Sequence, residues 1–496
     1  MIRDTYNQIK EGIEVRQNLS KLRQELKDTE QKRALLYQIS GEDTLFEELL
    51  CHEDPKIRKN AALIMGQLEN TRFVKNLVEA YKKEGTLFVK SAYLTAIKEY
   101  DFREYLDFFR ERLGNLSKEE VTEENKKHLN EEIRGLSNLV IMMEGTKHHV
   151  FNGYHKSSEL ILLTNRNFIN KTIEALWEES QVTAFNAGVM LKTDNLERVM
   201  EVRTFEELFF LVEGMKNCTM DPEEAARKIV EAGLVDFLKK RHEGEVPFYF
   251  RIECKTKMLL DKKSAFTKKM AAELERLSNR SLINTTSNYE VELRLVENKS
   301  GMFNVMVKLY TLKDERFSYR KEVLPTSIKP VNAALVFSLA EDYLKEEAKI
   351  LDPFCGTGTM LIERHKFRKA NTMYGIDLFG EAIDKAKINT EAAHQIIHYI
   401  HRDFFDFEHE YLFDEIVTNM PTVTGRKSEE EIHSVYRRFF DKAKEHLENN
   451  GMIIMYSHND KIVRNLIMRS EYHLEEEWEI SKKEGTYVFA IRWNKM

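Results

Sequence analysis

Cysteine is scarce in this chain. Cys51, Cys218, Cys254 and Cys355 stand far apart with no Cys-x-x-Cys pair, which excludes a disulfide framework and a cysteine-based zinc site, and no metal is expected. The first residues, MIRDTYNQIKEGIEVRQNL, lack the apolar core of a signal peptide. Nowhere is there an apolar run of the roughly 18 residues that a membrane span needs, so the expected setting is the reducing cytoplasm, away from membranes. Positive net charge is missing as well: 76 Lys and Arg against 83 Asp and Glu give −7. A protein coated in nucleic acid is usually basic overall, so any such surface here is local. What is present in quantity is charge of both signs, 32%, beside 42% hydrophobic residues. Over 496 residues, at about 100 to 200 per domain, this suggests about three domains with solvated helices.

Residues 1–150 read as all helix: apolar positions recur at three- and four-residue spacing, and Pro55 is the only proline. Asp54-Pro55-Lys56-Ile57 leads into Asn60-Ala61-Ala62-Leu63. Gly85-Thr86-Leu87-Phe88 likewise leads into Ser91-Ala92-Tyr93-Leu94, and a third unit is expected near Glu123 to Leu139. Asp caps free amides and Pro suits a first turn, while the alanines let helices approach. This pattern resembles HEAT-type repeats; an ordinary helical bundle is the other reading. Residues 151–325 mix strands (Ser158–Thr164, Val189–Lys192, Arg198–Arg203, Pro247–Cys254, Tyr289–Val296, Met302–Tyr310) with helices (Phe168–Glu178, Phe205–Met215, Pro222–Lys239 and a basic helix after Cys254), an α+β pattern. From Ala348 short apolar strands alternate with helices, which predicts a Rossmann-like, doubly wound and mostly parallel sheet over 326–496.

The sharpest motif is Asp352-Pro353-Phe354-Cys355-Gly356-Thr357-Gly358-Thr359, directly after a strand and directly before a helix. Gly356 and Gly358 let the backbone turn sharply and approach a ligand, and the helix that follows offers free amides. The next strand ends in Asp377, placed to accept hydrogen bonds from ribose hydroxyls. A further strand ends at Asp403-Phe404. Asp403 reads either as a partner for an adenine amino group, with Phe404 packed on the ring, or as a solvated carboxylate. The third glycine of a dinucleotide site and the Gly-Lys-Ser/Thr of a phosphate loop are both missing.

The run Asp352 to Thr359, with Thr418-Asn419-Met420-Pro421 downstream and Ser327-Ile328-Lys329-Pro330-Val331-Asn332 upstream, resembles the methyltransferase domain of the THUMP-containing RNA methyltransferases. More faintly, Leu160 to Thr311 is similar to their ferredoxin-like plus THUMP RNA-binding module. Together the resemblance spans about Ser158 to Met496, and the N-terminal helices lie outside the family pattern. It implies S-adenosylmethionine as cofactor, which carries no phosphate, held by Asp352, Phe354, Gly356, Gly358, Thr359, Asp377, Asp403 and Phe404. It also implies methylation of guanosine N2 in transfer or ribosomal RNA. Members carry Asn-Pro-Pro-Tyr after the fourth strand: a carboxamide and a carbonyl accept the two hydrogens of a delocalised amine, and an aromatic stacks on the flipped base. Here the motif reads Asn419-Met420-Pro421-Thr422, with Asn419, Met420 and Pro421 as catalytic candidates. Thr422 removes the aromatic; Phe404, Phe405, Tyr456 and His458 are candidate substitutes. Arg426 and Lys427 match a basic turn that would hold a phosphate.

Between Arg251 and Arg280 nine basic residues face four acidic ones. Lys262, Lys269 and Arg276 recur at sevens, so one helix face reads as a phosphate-contacting surface or as a plain solvated one. The combined expectation is an enzyme that methylates an exocyclic amine in structured RNA, with its N-terminal helices open to a protein partner. The alternatives are a non-catalytic RNA-binding scaffold on the same fold and a DNA amino-methyltransferase.

Overall fold

The computed structural model describes residues 2–39, 44–116, 122, 125–144, 149–177, 181–421, 429–468 and 470–494. As the periodicity requires, the described residues up to Glu144 form helices around one apolar core. The Asp54 carboxylate accepts the Lys56 amide (2.8 Å) and starts the helix Pro55–Leu68. That helix packs on Leu87–Ile97, which in turn packs on Lys126–Glu144. The two alanine-bearing segments therefore lie side by side, with Ala61, Ala62 and Ala92 buried. At the crossing a Cβ added to Gly66 would lie 2.7 Å from the Cα of Ala96.

A nine-stranded mixed sheet follows, in the order 181–185, 188–193, 158–164, 205–211, 303–309, 291–297, 248–255, 282–284, with 217–218 also paired to 303–309. Helices Pro222–Glu231 and Leu260–Leu277 bury Ala225, Ala226, Ile229, Phe266, Met270 and Leu274 in the core on one face. Three expectations need correction. Phe205–Leu211 is a strand, not a helix. Its partner register jumps from Leu163 opposite Glu207 to Thr164 opposite Phe205, so Glu206 is a bulge residue that breaks the two-residue alternation. Arg198–Arg203 is not a strand: Leu196–Val199 forms a short helix capped by the Asn195 side chain (3.1 Å to the Arg198 amide). The helix expected over Pro222–Lys239 is two helices, broken at Gly233 with φ +80°.

The C-terminal sheet has strands β1 (Ala348–Asp352), β2 (Ala370–Asp377), β3 (His398–His401), β4 (Phe413–Asn419), β5 (Leu447–Ser457), β6 (Tyr472–Ser481) and β7 (Thr486–Trp493), ordered β3-β2-β1-β4-β5-β7-β6. The first five run parallel, and the β6–β7 hairpin adds antiparallel. Both faces are covered. Along β5, Met452, Ile454 and Tyr456 enter one core and Ile453 and Met455 the other, which is why the strand reads as a continuous apolar run. The strand order reverses between β1 and β4, so the crevice at their carboxyl ends is where such a sheet binds ligands. No helix among the described residues is long and apolar enough to cross a membrane.

Gly66→Ala tests the helix crossing. The alanine gains about 1 kcal/mol of helix propensity but forces backbones apart, at about 1 to 3 kcal/mol for overpacking. We expect a net loss, read as faster amide exchange in Leu87–Ile97; slower exchange would refute the close approach.

Candidate active site

Asp352 closes β1, and the chain turns through Gly356 (φ +52°) and Gly358 (φ +80°) into the helix Thr359–Phe367. The two glycines serve different ends. A Cβ on Gly358 would meet the Tyr399 hydroxyl at 2.2 Å, whereas one on Gly356 would project into open space. Tyr399 is in turn held by Thr390 (2.8 Å between hydroxyls). Asp377, at the end of β2, ties two loops together: Oδ2 accepts the Gly356 amide and Oδ1 the Phe379 amide, both at 2.9 Å. Each carboxylate oxygen keeps a further lone pair for a ligand.

These elements surround a cavity of about 430 Å³. Of the sequence-derived candidates, Asp352, Phe354, Gly356, Thr359, Asp377, Asp403, Phe404, Asn419, Met420 and Pro421 all line it, and Gly358 shapes the turn beneath. Asp403 caps the short turn Phe404–Asp406 by accepting the Phe405 amide (3.0 Å). Phe404 is buried, edge-on to Phe354 at 5.9 Å, while Phe405 is half-buried and lies under the Arg438 guanidinium at 3.7 Å. Asn419 ends β4 opposite Tyr456, and its carboxamide makes no hydrogen bond to a described residue. Tyr456 and His458 do not line the cavity. Thr422, Arg426 and Lys427 lie outside the described residues.

The residues fit a cationic cofactor with ribose hydroxyls and an amino group. The hydroxyl of Thr359, a lining residue, is buried without a hydrogen-bond partner among the described residues, and Gly356 leaves space for a ligand. Burial, reinforced by nearby Asp377, pushes the Asp352 carboxyl well above the usual range. Asp377 and Asp403, both half-buried, remain to accept hydrogen bonds.

Sequence reasoning missed part of the lining. Leu324, Thr326, Ser327 and Ile328 form one wall, and Ile432, Val435 and Tyr436 of the helix Glu429–Ala443 another. Leu378 and Phe379, 57% and 68% exposed, also line it. An apolar pair directly after a strand-end acid was a usable signal. On the proposed phosphate face Lys269 is paired with Glu223 (3.1 Å) and Arg276 with Glu273 (2.7 Å), while Lys262, Lys263 and Lys268 have no ion pair to a described residue.

Residues 318–483 match the model of the UPF0020 family, described as an RMKL-like methyltransferase domain. The chain is 32% identical over 143 residues to a tRNA (guanine(10)-N2)-dimethyltransferase of Methanothermobacter thermautotrophicus, covering 26% of this chain and 38% of that one. It is 28% identical over 202 residues to a release factor glutamine methyltransferase of Lactococcus lactis, covering 41% and 71%. The first relative is thus spanned over less than half its length. The crystal structure of SMU.472, a putative methyltransferase complexed with SAH, shares the fold: TM-score 0.51 and 13% identity, over 69% of this chain and 99% of that one. The glycine turn, the strand-end acids and the sheet order define an α/β methyltransferase-like domain. The class of protein that the fold and the cavity resemble is the methyltransferases: residues 318–483 match a methyltransferase domain, and the fold is that of a putative methyltransferase complexed with SAH.

Asp377→Ala removes the acceptor for the Gly356 and Phe379 amides and for ligand hydroxyls. Binding of S-adenosylhomocysteine is expected to weaken by about 1 to 3 kcal/mol, measured by calorimetry; unchanged affinity would move the cofactor out of this cavity.

Proposed function

We propose that this protein methylates an exocyclic amine, guanosine N2, in structured transfer or ribosomal RNA. The observation that carries this reading is Asn419: a carboxamide without a hydrogen-bond partner among the described residues, at the carboxyl end of β4, facing the same cavity as the glycine turn. S-adenosylmethionine, when bound, supplies the electrophilic methyl group. Asn419 Oδ1 accepts a hydrogen of the target amine, which raises electron density on a nitrogen whose lone pair is delocalised. Pro421, following the buried Met420, keeps the chain after β4 extended, as proline requires of the residue before it.

The relatives favour the same chemistry. Guanine N2 and a glutamine amide nitrogen are both planar, conjugated nitrogens, so a site built on Asn419 suits that class. The guanine-directed relative supports RNA over a protein side chain, and so do the lysines of the middle region. Residues 151–325 then act as a ferredoxin-like and THUMP-like RNA holder and 326–496 as the catalytic domain. Residues 1–150 would be a HEAT-like region open to a protein partner. Lys262, Lys263 and Lys268, which have no ion pair to a described residue, provide cations of the basic helix beside the paired Lys269 and Arg276, and Arg426 and Lys427, outside the described residues, would add a phosphate contact.

Asn419→Ala is expected to slow methyl transfer to RNA about a hundredfold, as loss of one group that stabilises developing charge does. Affinity for S-adenosylhomocysteine should stay within about twofold, because the side chain is not needed to shape the glycine turn. Labelled methyl transfer to RNA from the protein's own source, followed by nucleoside analysis, reads both the rate and the product. Wild-type protein that binds cofactor and RNA but labels none of that RNA would favour a scaffold; label on DNA alone would favour a DNA amine.

Reversing Lys262 and Lys268 to Glu should weaken RNA binding for all sequences alike. It should also flatten the dependence of log affinity on log salt by about 0.7 to 0.9 for each phosphate that is no longer neutralised. An unchanged slope would place the RNA surface elsewhere.

A further inference from the structure

The segment 321–329 connects the middle sheet to the C-terminal domain without a helix or strand of its own, yet it forms the cavity wall of Leu324, Thr326, Ser327 and Ile328. A polar clasp keeps it there. Asn389, on the helix Gly380–Ala392 and fully buried, accepts the Glu322 amide at Oδ1 (2.8 Å). Its Nδ2 donates to the Glu322 carbonyl (2.9 Å) and to the Thr357 carbonyl (3.1 Å). Thr357 sits between the two glycines of the turn. The Ser327 hydroxyl, 3.1 Å from that of Thr357, also accepts the Leu324 amide (3.0 Å). One planar carboxamide thus holds the connecting segment with one donor and its acceptor, and the glycine turn with the other donor.

The chain leading into the segment is fixed as well. Arg316 donates to the carbonyls of Val202 (3.0 Å) and Phe205 (2.9 Å), at the start of a middle-sheet strand, and its guanidinium lies 3.5 Å from the centre of the Phe205 ring. The Tyr319 hydroxyl donates to Glu363 (2.6 Å), on the helix that leaves the glycine turn. Hydrogen bonds made by residues 316–327 therefore tie this stretch of chain to the middle sheet on one side and to the backbone that borders the cofactor cavity on the other. Asn is a poor residue for a helix interior, and at Asn389 every polar atom of the side chain is spent on this link.

We propose that Asn389 is a positioning residue: it latches the 321–329 segment as a wall of the cofactor cavity, and through it RNA on the middle sheet and cofactor in the cavity favour one another's binding. This rests on the functional reading above and extends it. RNA that favours the middle-sheet arrangement to which Arg316 is bonded favours the same arrangement of the wall, and by reciprocity bound cofactor tightens RNA by the same factor.

The experiment is calorimetry of S-adenosylhomocysteine binding to the full chain, with and without unfractionated transfer RNA, for wild type, Asn389→Ala and Ser327→Ala. Wild type should bind about fivefold or more tightly with RNA present. Asn389→Ala should bind about tenfold more weakly alone and show equal affinity with and without RNA. Ser327→Ala, a milder cut on the segment itself, should shift both quantities in the same direction and serves if Asn389→Ala does not fold. A variant that keeps the wild-type RNA effect, or a wild type with no RNA effect although it binds both ligands, overturns the latch. Wild type that binds no S-adenosylhomocysteine overturns the functional reading and the latch together.

Discussion

Two adjacent buried charges on one short helix hold the functional part of the molecule together. Glu363 and Arg364 lie on Thr359–Phe367, the helix that begins at the glycine turn. Arg364 points into the C-terminal domain: Nε and Nη2 meet the Glu415 carboxylate of β4 at 2.8 Å, and Nη2 also donates to the Lys345 carbonyl (2.7 Å). Glu363 points the other way, accepting from Arg203 (2.9 and 2.6 Å) and from Tyr319 (2.6 Å). Glu363, Arg364 and Glu415 are each at most 1% exposed. A buried ion pair is weak evidence for net stability, but removing one partner strands a charge, at a cost of about 3 to 5 kcal/mol. The arrangement therefore fixes geometry: a helix bonded on one side to β4 and on the other to Arg203 has a single position, and the glycine turn at its start has one too. Further along the same boundary, Asn165 and Asn167 donate to the carbonyls of Ile480 (3.0 Å) and Glu479 (2.8 Å) on β6. The middle sheet is thus held to the domain whose cavity it would serve.

That rigidity matters because the cavity itself is assembled from distant parts of the chain. Asp352, Asp377, Asp403 and Asn419 arrive on four different strands or strand ends, and each lies where its parallel strand stops. The parallel pairing of β1 with β2 and β4 brings them to one edge. Their charges are not equivalent. Burial opposes ionisation of Asp352, while the Asp377 carboxylate accepts two backbone amides.

What the sequence disclosed and what it hid follow one rule, the range of the interaction concerned. The turn from Asp352 to Thr359 and the acid at Asp377 were legible because glycine conformation and strand-end position are local matters. Phe205–Leu211 was misread because the bulge at Glu206 gives Phe205 and Leu208 a helix-like spacing that only the partner strand resolves. The hairpin of β6 and β7 was not expected at all: β6 is an edge strand, and Glu475, Glu476, Glu477 and Glu479 give it the charge that protects an edge while masking its strand pattern. Lys269 and Arg276 looked like free cations because sequence spacing does not show that Glu223, from another helix, and Glu273, one turn away, neutralise them. Asn389 was invisible for the same reason: a single asparagine in a helix reads as solvated until its partners, Glu322 and Thr357, are brought beside it by the fold.

The change from Asn-Pro-Pro-Tyr to Asn-Met-Pro-Thr carries a bounded cost. Absence of a stacking aromatic costs roughly 1 to 3 kcal/mol per base, or about one to two powers of ten in rate or affinity. Two features act against that cost. The cavity keeps Phe354, Phe405 and Phe379 among its lining, and the helix Glu429–Ala443 adds Ile432 and Val435, so apolar surface for a planar ring remains even without Tyr at position 422. The target nucleotide is also tethered: if the middle sheet holds the RNA, the base reaches the cavity at a high effective concentration, an advantage larger than one stacking interaction. Under that division of labour the site needs Asn419 for chemistry more than it needs an aromatic for affinity, and the substitution of Thr422 is compatible with an active enzyme whose grip on RNA lies outside the catalytic domain.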